Sequence, residues 1–311
     1  MKSFNSTNST NPTILLTIDV EDWFQVENFK SCISYDSWSS RELRVERVTH
    51  VILDLLDSIS RTPPNPTNST NTVTFFILAW IAERLPGLVR EIHSRGHEVA
   101  SHGCTHELCS TQTPEALLDD LTRSKEILEA RIGERVYGFR APSFSISERI
   151  LESIRDAGYL YDSSYNSFSL HGRYGRLPPI RSNRGATQTS ALIQPIQGVY
   201  EIPISNVEIS GRVIPWGGGA YFRLIPERLF RAGIRLILKR QNAYTMYLHP
   251  WEFDPDQPRV KEVPVTRKFR HYSNLGKTQN RLKNLITTFS HCSFVSCRDY
   301  IRQTQQTQQT Q

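Results

Sequence analysis

The sequence contains two clusters of residues that are typical of metal-binding sites. Asp19, Glu21 and Asp22 place three carboxylates within four residues, where they repel one another unless a cation or a shared proton compensates. His102 and His106 lie four residues apart, a common spacing for two metal ligands on one helical turn. Each cluster alone is also typical of an acidic loop or of two partly exposed histidines. Together they predict a site of two histidines and one carboxylate with open coordination positions.

Two further segments carry polar residues at the end of an apolar run. Arg140 follows such a run, and its guanidinium needs an anionic partner if it is buried but not if it reaches the surface. His249 follows another, and Pro250 and Trp251 come directly after it. An aromatic ring beside polar groups suits contact with a sugar, although a tryptophan is more often part of the core. These segments add a candidate cation, a candidate proton carrier and a candidate sugar contact.

Strands and helices alternate along the chain, which predicts a parallel sheet wrapped by helices. Short apolar or β-branched runs predict strands at residues 14–19, 73–78, 98–101, 136–141, 200–205 and 243–249. Helical spacing, capping residues and glycine stops predict helices at residues 48–59, 81–93, 113–133, 147–158 and 226–240. Asp19, His102, Arg140 and His249 each fall at the C-terminal end of a predicted strand or just beyond it. Parallel α/β barrels build their active sites at that rim, so we expect these side chains to meet there.

The motifs LTIDVED, SHGCTH, RAPSFSI, GYLYDSS and LHPWE occur in this order, and the set resembles the polysaccharide deacetylase superfamily. This is the family of the NodB-homology domain, carbohydrate esterase family 4. The segments HGRYG (171–175), GGGAYFRL (217–224) and FRHYSNL (269–275) resemble its branch linked to exopolysaccharide synthesis and exosortase systems. The resemblance runs from about residue 14 to residue 302. It implies a distorted (β/α) barrel with fewer than eight regular repeats.

The resemblance also implies an activity, the hydrolysis of an N-acetyl group on a glycan. Asp19 matches the general base of the family, Arg140 matches the residue that orients this base, and His249 matches the general acid. His102 and His106 match the two metal-binding histidines, and zinc is the expected divalent metal.

The third metal ligand depends on a departure from the family. The common first motif has two adjacent aspartates, whereas Val20 follows Asp19 here, so the ligand is Asp22 or Glu21. Asp22 is preferred because its shorter side chain constrains the geometry better. A second departure is Gly103, which stands where the family commonly has serine or threonine. That pattern resembles an allantoinase-like and peptidoglycan-deacetylase-like branch in which some members lack metal.

Four residues next to these motifs also have predicted roles. Pro142 and Trp251 are predicted to contact the substrate. Asp162 is predicted either to hold a catalytic group in its charged form or to form a turn. Cys104 lies between the two histidines and is predicted to be a bystander, because coordination through its sulfur would strain the turn.

The chain is predicted to have four parts. Residues 1–13 and 303–311 are low-complexity tails that bury too little apolar surface to be ordered, and residues 14–254 form the barrel. Residues 255–302 form a basic C-terminal extension, in which Leu282, Leu285, Ile286 and Phe289 have helical spacing. We therefore expect the extension to pack on the barrel with its charged side outward. That charge suits an acidic polymer, a lipid-linked oligosaccharide or a membrane surface, or else a packing element without a ligand.

Composition narrows the class of protein. The 311-residue chain has a net charge of +6 but no nucleic-acid-binding motif, which argues against nucleic acid as a partner. Its longest apolar run is too short to span a membrane. The polar N-terminus and an odd number of cysteines without a CxxC pair predict a cytoplasmic protein. Two alternatives to a glycan deacetylase are an allantoinase-like amidohydrolase that acts on a small non-glycan substrate and a glycan-binding relative without catalysis.

Overall fold

The computed structural model of the chain describes residues 11–60, 71–168, 174–177 and 192–309. The first elements are β1 (Thr13–Val20), α1 (Val45–Ser60), β2 (Thr74–Ile77), α2 (Ala79–Arg84), α3 (Pro86–Ser94), β3 (Glu98–Ser101), α4 (Pro114–Ile132), β4 (Gly138–Phe139), α5 (Glu148–Asp156) and β5 (Tyr161–Asp162). The later elements are β6 (Ile193–Ile196), β7 (Val199–Glu201), β8 (Asn206–Ile209), β9 (Arg212–Pro215), α6 (Gly219–Leu224), α7 (Glu227–Gln241), β10 (Ala243–Leu248), α8 (Val265–Tyr272), α9 (Thr278–Thr288), β11 (Ser293–Phe294) and α10 (Cys297–Gln309). Most of the predicted N-terminal tail (1–10) and the start of HGRYG (171–173) lie outside the described residues.

A curled parallel sheet forms the centre of the molecule. Its strand order is β10-β1-β2-β3-β4-β5-β7-β6, and only the β6–β7 pair is antiparallel. β11 pairs with the first two residues of β1, and β8 and β9 form a separate antiparallel pair. Ser205 N donates to Thr245 O at 3.1 Å, which joins the chain beyond β7 to β10 and curls the sheet toward closure. The distorted barrel predicted from the sequence is confirmed.

Local sequence signals explain most element boundaries. All eight residues of β1 are buried, as expected for an apolar strand with neighbours on both sides. Thr113 Oγ1 accepts a hydrogen bond from Ala116 N at the start of α4, and Gly133 ends this helix with a φ of +71°. The single helix predicted at residues 81–93 is instead two helices, α2 and α3. Pro86 explains the break, because proline disfavours helical backbone at the preceding residue, Leu85.

The strands predicted at residues 136–141 and 200–205 are shorter than expected. β4 has two residues and β7 has three. Just beyond them, side chains replace the backbone partners of the ladder. Ala141 N donates to Ser164 Oγ at 2.7 Å, and Tyr165 N donates to Glu201 Oε1 at 2.9 Å. These strands therefore give way to side-chain hydrogen bonds at the edge of the barrel that carries the site.

The C-terminal extension contacts the barrel through α9, where Leu282, Leu285 and Ile286 are buried and the helix packs on α1. The expectation of a disordered tail from residue 303 is corrected, since α10 continues to Gln309. Ile301 is fully buried, and Gln305 Nε2 donates to Tyr200 OH at 2.8 Å, so α10 is held against the barrel. None of the described helices combines the length and apolarity needed to cross a membrane.

Candidate active site

The C-terminal ends of the barrel strands surround a cavity of about 110 Å³. Its lining includes Asp19 near the end of β1, His102 directly after β3 and His249 directly after β10. Arg140 directly follows β4 and reaches Asp19 from there. The structure thus brings together the four residues that the sequence placed at strand ends.

Glu21, His102 and His106 form a buried cluster with the donor set of a metal site. One ligand atom from each of the three lies within 4.8 Å of the others. His106 Nε2 is 3.1 Å from Glu21 Oε2, yet no described residue makes a hydrogen bond with this oxygen. The two atoms therefore meet without hydrogen-bond geometry, which leaves the carboxylate lone pair available. Two imidazoles and one carboxylate with an open side are the protein ligands of many catalytic zinc sites.

A loop, rather than the predicted helical turn, brings the two histidine rings together. Gly103 has a φ of +78° and His106 has a φ of +56°, and the ring centroids of His102 and His106 are 5.3 Å apart. Asp120 holds this loop, because its Oδ1 accepts a hydrogen bond from Cys104 N at 2.8 Å. A left-handed conformation at a residue other than glycine is strained, and such strain is concentrated at functional sites.

Hydrogen bonding and burial favour the neutral form of His102, which can coordinate a metal. Its Nδ1 lies 2.7 Å from the carbonyl oxygen of Arg140. A carbonyl only accepts, so Nδ1 carries the proton and Nε2 keeps its lone pair. Burial lowers the pKa of His102 to about 4, which keeps the ring neutral near pH 7. Burial raises the pKa of the Glu21 carboxyl to about 7, against the opposing effect of His249.

The preference for Asp22 as the third ligand is corrected by the structure in favour of Glu21. Asp22 Oδ1 accepts from Trp23 N at 2.8 Å, and its Oδ2 accepts from Arg44 N and Val45 N at 2.7 and 2.9 Å. Asp22 therefore supplies acceptors for the free N–H groups at the start of α1. Its oxygens are used for that purpose, and it is not part of the buried cluster.

Asp19 and Arg140 form a buried ion pair beside the cluster. Arg140 Nη1 donates to Asp19 Oδ1 and to Thr17 Oγ1, both at 2.6 Å. Its Nε and Nη2 donate to the carbonyl and the hydroxyl of Ser163, both at 2.8 Å. The guanidinium also lies over the ring of Phe76, 4.1 Å from its centroid. Arg140 is thus fixed on several sides and holds the Asp19 carboxylate in one orientation.

His249 lies on the opposite side of the cavity in a chain of charged groups. Its Nδ1 donates to Glu252 Oε1 at 2.7 Å, and Glu252 Oε2 accepts from Arg223 Nε at 2.8 Å. His249 Nε2 is 3.2 Å from Glu21 Oε1. Burial lowers the pKa of His249, but the carboxylates of Glu21 and Glu252 outweigh it and raise the pKa to about 9. The imidazole is therefore protonated near pH 7.

Trp251 lines the cavity, and its predicted contact with the substrate stays a prediction. The ring lies between His249 and His271, with centroid distances of 4.9 and 4.1 Å and interplanar angles of 21° and 12°. Both faces are therefore covered by imidazoles. Its Nε1 donates to Glu21 Oε1 at 3.2 Å, so Trp251 also positions this site residue.

Pro142 lies next to the cavity lining, and its predicted contact with the substrate stays a prediction. It is buried in a short 3-10 helix, Pro142–Phe144, and accepts a hydrogen bond from Ser145 Oγ at 2.8 Å. Of the described residues in this segment, its neighbours Ala141, Ser143 and Phe144 line the cavity and Pro142 does not.

Asp162 supports the site from outside the cavity. It accepts hydrogen bonds from the hydroxyl and the amide of Ser164 at 2.6 and 3.0 Å. Ser164 in turn accepts from Ala141 N, directly after Arg140. Burial raises the pKa of the Asp162 carboxyl. Asp162 therefore fixes the backbone beside Arg140, which is closer to a structural role than to a catalytic one.

Sequence reasoning did not assign Glu252 or Arg223, although both lie in motifs that it used. Glu252 ends LHPWE and Arg223 lies in GGGAYFRL. Both side chains are buried. An arginine and a glutamate within otherwise apolar segments signal a buried pair, but their pairing needs a contact across 29 residues that no local pattern gives.

Parts of the chain are similar to known protein families and to curated proteins. Residues 69–161 match the polysaccharide deacetylase family, and residues 163–302 match a domain of unknown function, DUF3473. A peptidoglycan deacetylase-like protein of Gibberella zeae is 35% identical over 92 residues, which are 30% of this chain and 27% of that protein. A peptidoglycan-N-acetylglucosamine deacetylase of Bacillus cereus is 30% identical over 86 residues, 28% of this chain and 40% of that protein. The chain thus matches less than half the length of either relative.

Solved structures share the whole fold. A Mycobacterium smegmatis protein assigned to the polysaccharide deacetylases superimposes with a TM-score of 0.59 at 16% identity, over 98% of this chain and 94% of that one. A peptidoglycan N-acetylglucosamine deacetylase, solved with an N-hydroxybenzamide compound, gives a TM-score of 0.50 at 13% identity, over 93% and 88%. At these identities the likeness establishes the fold.

Together, these findings show that the chain has the fold of solved polysaccharide deacetylases. Within that fold, one segment matches the polysaccharide deacetylase family model and the segment after it matches DUF3473. The resemblance drawn from the motifs is confirmed at this level.

Proposed function

We propose that this chain hydrolyses N-acetyl groups of a glycan, with a divalent metal held by Glu21, His102 and His106. The observation that carries the proposal is that this cluster, the Asp19–Arg140 pair and His249 meet at one cavity. These are a candidate base, a candidate acid and an electrophilic site, the groups that amide hydrolysis requires.

The residues present fit a metal ion. Glu21 Oε2 is buried without a hydrogen bond, and His102 offers Nε2 because its Nδ1 is bonded to a carbonyl. Two nitrogens and one oxygen suit zinc among the divalent cations. A metal bound there would polarise the acetamide carbonyl and lower the pKa of water.

Asp19 is proposed as the general base. Its carboxylate is held by Arg140 at 2.6 Å and lines the cavity, so it can accept the proton of the attacking water. Arg140 is a positioning residue in this account, because its guanidinium is occupied by Asp19, Thr17 and Ser163.

His249 is proposed as the general acid. An amine leaves an amide readily only when it gains a proton, and the raised pKa of His249 keeps that proton available. Glu252 fixes the ring through Nδ1, so Nε2 faces the cavity side on which Glu21 lies. Arg223 holds Glu252 in place by the buried ion pair.

We extend the proposal to the setting of the reaction. The motif resemblance at residues 217–224 and 269–275 supports an N-acetylated polysaccharide or lipid-linked oligosaccharide made during exopolysaccharide synthesis. Contact with a membrane surface is supported by α8, where Val265 and Phe269 are 78% and 64% exposed beside basic side chains. Unpaired cysteines support a cytoplasmic location. Co-sedimentation with anionic liposomes tests the proposed membrane contact, and we expect this binding to be sensitive to salt.

The allantoinase-like alternative is favoured by one observation, the small volume of the catalytic cavity at about 110 Å³. Pockets for small molecules are typically ~300–1,000 Å³, so this cavity holds an acyl group more readily than a whole sugar. A glycan would therefore have to place its rings outside the cavity.

Acetate release tests the proposal directly. The full chain is stripped with a chelator, reloaded with zinc, and incubated with N-acetylated oligosaccharides and with allantoin. We expect stoichiometric metal, and acetate released only by the reloaded protein and not by Asp19→Asn. Hydrolysis of allantoin without acetate from any glycan would replace the proposal by the alternative, and neither activity would favour a binding protein.

A further inference from the structure

Arg270 is a cation of the catalytic cavity that the proposed mechanism does not use. It lies in α8 and lines the cavity together with Tyr174 and Tyr247. Arg223, the other arginine among the described lining residues, is neutralised by Glu252. Within the part of the chain that the structure describes, no carboxylate forms an ion pair with Arg270. This part of the cavity therefore contains a guanidinium whose charge is not balanced by a carboxylate.

The groups around the Arg270 guanidinium are phenols. Tyr247, Tyr174 and Tyr221 interact with its charge, and Tyr174 accepts a hydrogen bond from it. Its central carbon lies 5.4 Å from the centroid of the Tyr221 ring, a distance typical of a cation–π contact. Burial raises the pKa of Tyr221 and Tyr247, so both phenols are neutral near pH 7. A guanidinium has five N–H donors, so it can bind an anion while it keeps these contacts.

The backbone of Arg270 is fixed before a ligand binds. Its carbonyl oxygen accepts a hydrogen bond from Arg223 Nη2 at 3.1 Å. The carbonyl oxygens of His271 and Ser273 accept from Arg223 Nη1. Arg223 thus satisfies carbonyl groups at the end of α8, which have no partner within the helix, while it also pairs with Glu252. A binding group on a backbone held in this way loses less entropy when it binds a ligand.

The remainder of α8 adds positive charge at the edge of the cavity. The helix contains Arg267, Lys268 and Arg270 and no acidic residue. Arg267 is exposed, and its Nη1 donates to the carbonyl oxygen of Asn28 at 3.4 Å. Since Asn28 lines the cavity, this second guanidinium lies beside its lining. Positive side chains near an entrance raise the local concentration of an anionic ligand.

We propose that Arg270 selects glycans that carry an anionic group, a carboxylate or a phosphate, beside the N-acetyl group that is hydrolysed. The inference rests on the proposed function and narrows its substrate class to acidic glycans. A uronic acid and a sugar phosphate both offer two oxygens to the planar fork of a guanidinium. A charged contact in a partly closed cavity is stronger than the same contact in water, so a neutral glycan should bind more weakly.

The test compares acidic substrates with neutral ones. Acetate release by the zinc-loaded full chain is measured on an oligosaccharide of alternating N-acetylglucosamine and glucuronic acid, and on an N-acetylglucosamine oligomer of equal length. N-acetylglucosamine 1-phosphate and N-acetylglucosamine form a second pair, which separates recognition of phosphate from recognition of carboxylate. We expect at least one acidic substrate to have a kcat/KM about tenfold or more above that of its neutral partner, mainly through a lower KM. This preference should decrease at ~0.5 M salt, where charges are screened.

Substitution of Arg270 tests the assignment of the residue. Arg270→Gln should remove most of the preference by raising KM on the acidic substrate, and Arg270→Lys should keep part of it because the charge is retained. Circular dichroism measures whether both variants are folded. Arg259→Gln is a matched control, since Arg259 also lies over a tyrosine ring, that of Tyr272, and is not among the described residues that line the cavity. It should keep the wild-type preference.

Equal kcat/KM on the acidic and neutral members of both pairs, a preference that salt does not change, or an unchanged preference in Arg270→Gln would each overturn the inference and leave the proposed function intact. A wild type that releases acetate from no glycan would contradict the proposed function instead. Binding then decides the inference, because calorimetric titration of Asp19→Asn with the same oligosaccharides needs no turnover. Tighter binding of the acidic oligosaccharide that a second change, Arg270→Gln, weakens supports the inference. Equal binding of both oligosaccharides, or no binding, overturns it.

Discussion

The two sides of the catalytic cavity come from different parts of the chain. His102, His106 and Arg140 lie in the segment that matches the polysaccharide deacetylase family. His249 and Glu252 lie in the DUF3473 segment. On the first side His102 is buried, its pKa is lowered and its Nδ1 is bonded to a carbonyl oxygen. On the second side the pKa of His249 is raised and its side chain is 17% exposed.

This difference suits two segments that contribute different groups to the proposed reaction. In the proposed mechanism, the segment that matches the deacetylase family supplies the proposed metal-binding histidines and orients the proposed base. The DUF3473 segment supplies the proposed acid with its charged support. Asp19 and Glu21 lie outside both matched segments, on or directly after β1, which lies between β10 and β2 in the sheet. Neither matched segment alone therefore contains the whole candidate site, and DUF3473 is part of it rather than an appendage.

The largest expected effect is on the metal side. His102→Ala and His106→Ala should each lose bound metal and detectable deacetylation while the fold is retained, because each removes one of three ligands. Elemental analysis and circular dichroism measure the two properties. His50→Ala is a matched control, since that histidine is 37% exposed and pairs with Glu91 away from the cavity. Stoichiometric metal in either cluster variant would show that the ligand assignment is wrong.

Substitution of the two neighbouring carboxylates, Glu21 and Asp22, tests which of them is the third metal ligand. Glu21→Gln should lose metal, whereas Asp22→Asn should keep it and lose about 1 kcal/mol of stability through weaker capping of α1. Elemental analysis measures the metal content of the two variants, and urea unfolding measures their stability. The opposite pattern, with metal lost only from Asp22→Asn, would restore the ligand first preferred from the sequence.

Part of this site could be predicted from the sequence because its residues lie at strand ends, where an apolar run stops and a polar residue follows. The choice between Glu21 and Asp22 was missed, although a signal existed. On extended chain, residues two apart share a face, so Glu21 lies on the side of Asp19 and Asp22 does not. The Glu252–Arg223 pair and the covered faces of Trp251 depend on long-range packing, which local pattern does not contain.

On the DUF3473 side, removal of one partner of the buried Glu252–Arg223 ion pair should destabilise the protein. Glu252→Gln leaves the guanidinium of Arg223, which is fully buried, without its carboxylate. We expect the free energy of unfolding to fall by about 3–5 kcal/mol in urea titrations. Glu83→Gln is the control, because its pair with Arg123 is solvent-exposed and should change stability by less than about 0.5 kcal/mol. Equally small losses of stability in Glu252→Gln and Glu83→Gln would mean that the Glu252–Arg223 pair does not stabilise the fold.

A further effect, on the pH dependence of stability, concerns His97, which directly precedes β3 at the end of that strand opposite to the cavity. Burial lowers its pKa from 6.5 to about 4, and no described residue bonds to its ring nitrogens. Between these pH values the unfolded chain binds more protons, so stability falls as the pH decreases, by up to about 3 kcal/mol. Urea unfolding at pH 7 and pH 4.5 should show this loss, and His97→Leu should reduce it. An unchanged pH dependence in His97→Leu would rule out this histidine as the cause.

The central claim, that the DUF3473 side protonates the leaving group, is tested most directly by changing the leaving group. Acetate release is compared on an N-acetylated oligosaccharide and on p-nitrophenyl acetate, whose phenolate departs without a proton. His249→Ala should lose ~10²–10⁴-fold on the amide and stay close to wild type on the ester, whereas Asp19→Asn should lose activity on both. A parallel loss on both substrates in His249→Ala, or no loss on the amide, would contradict the account.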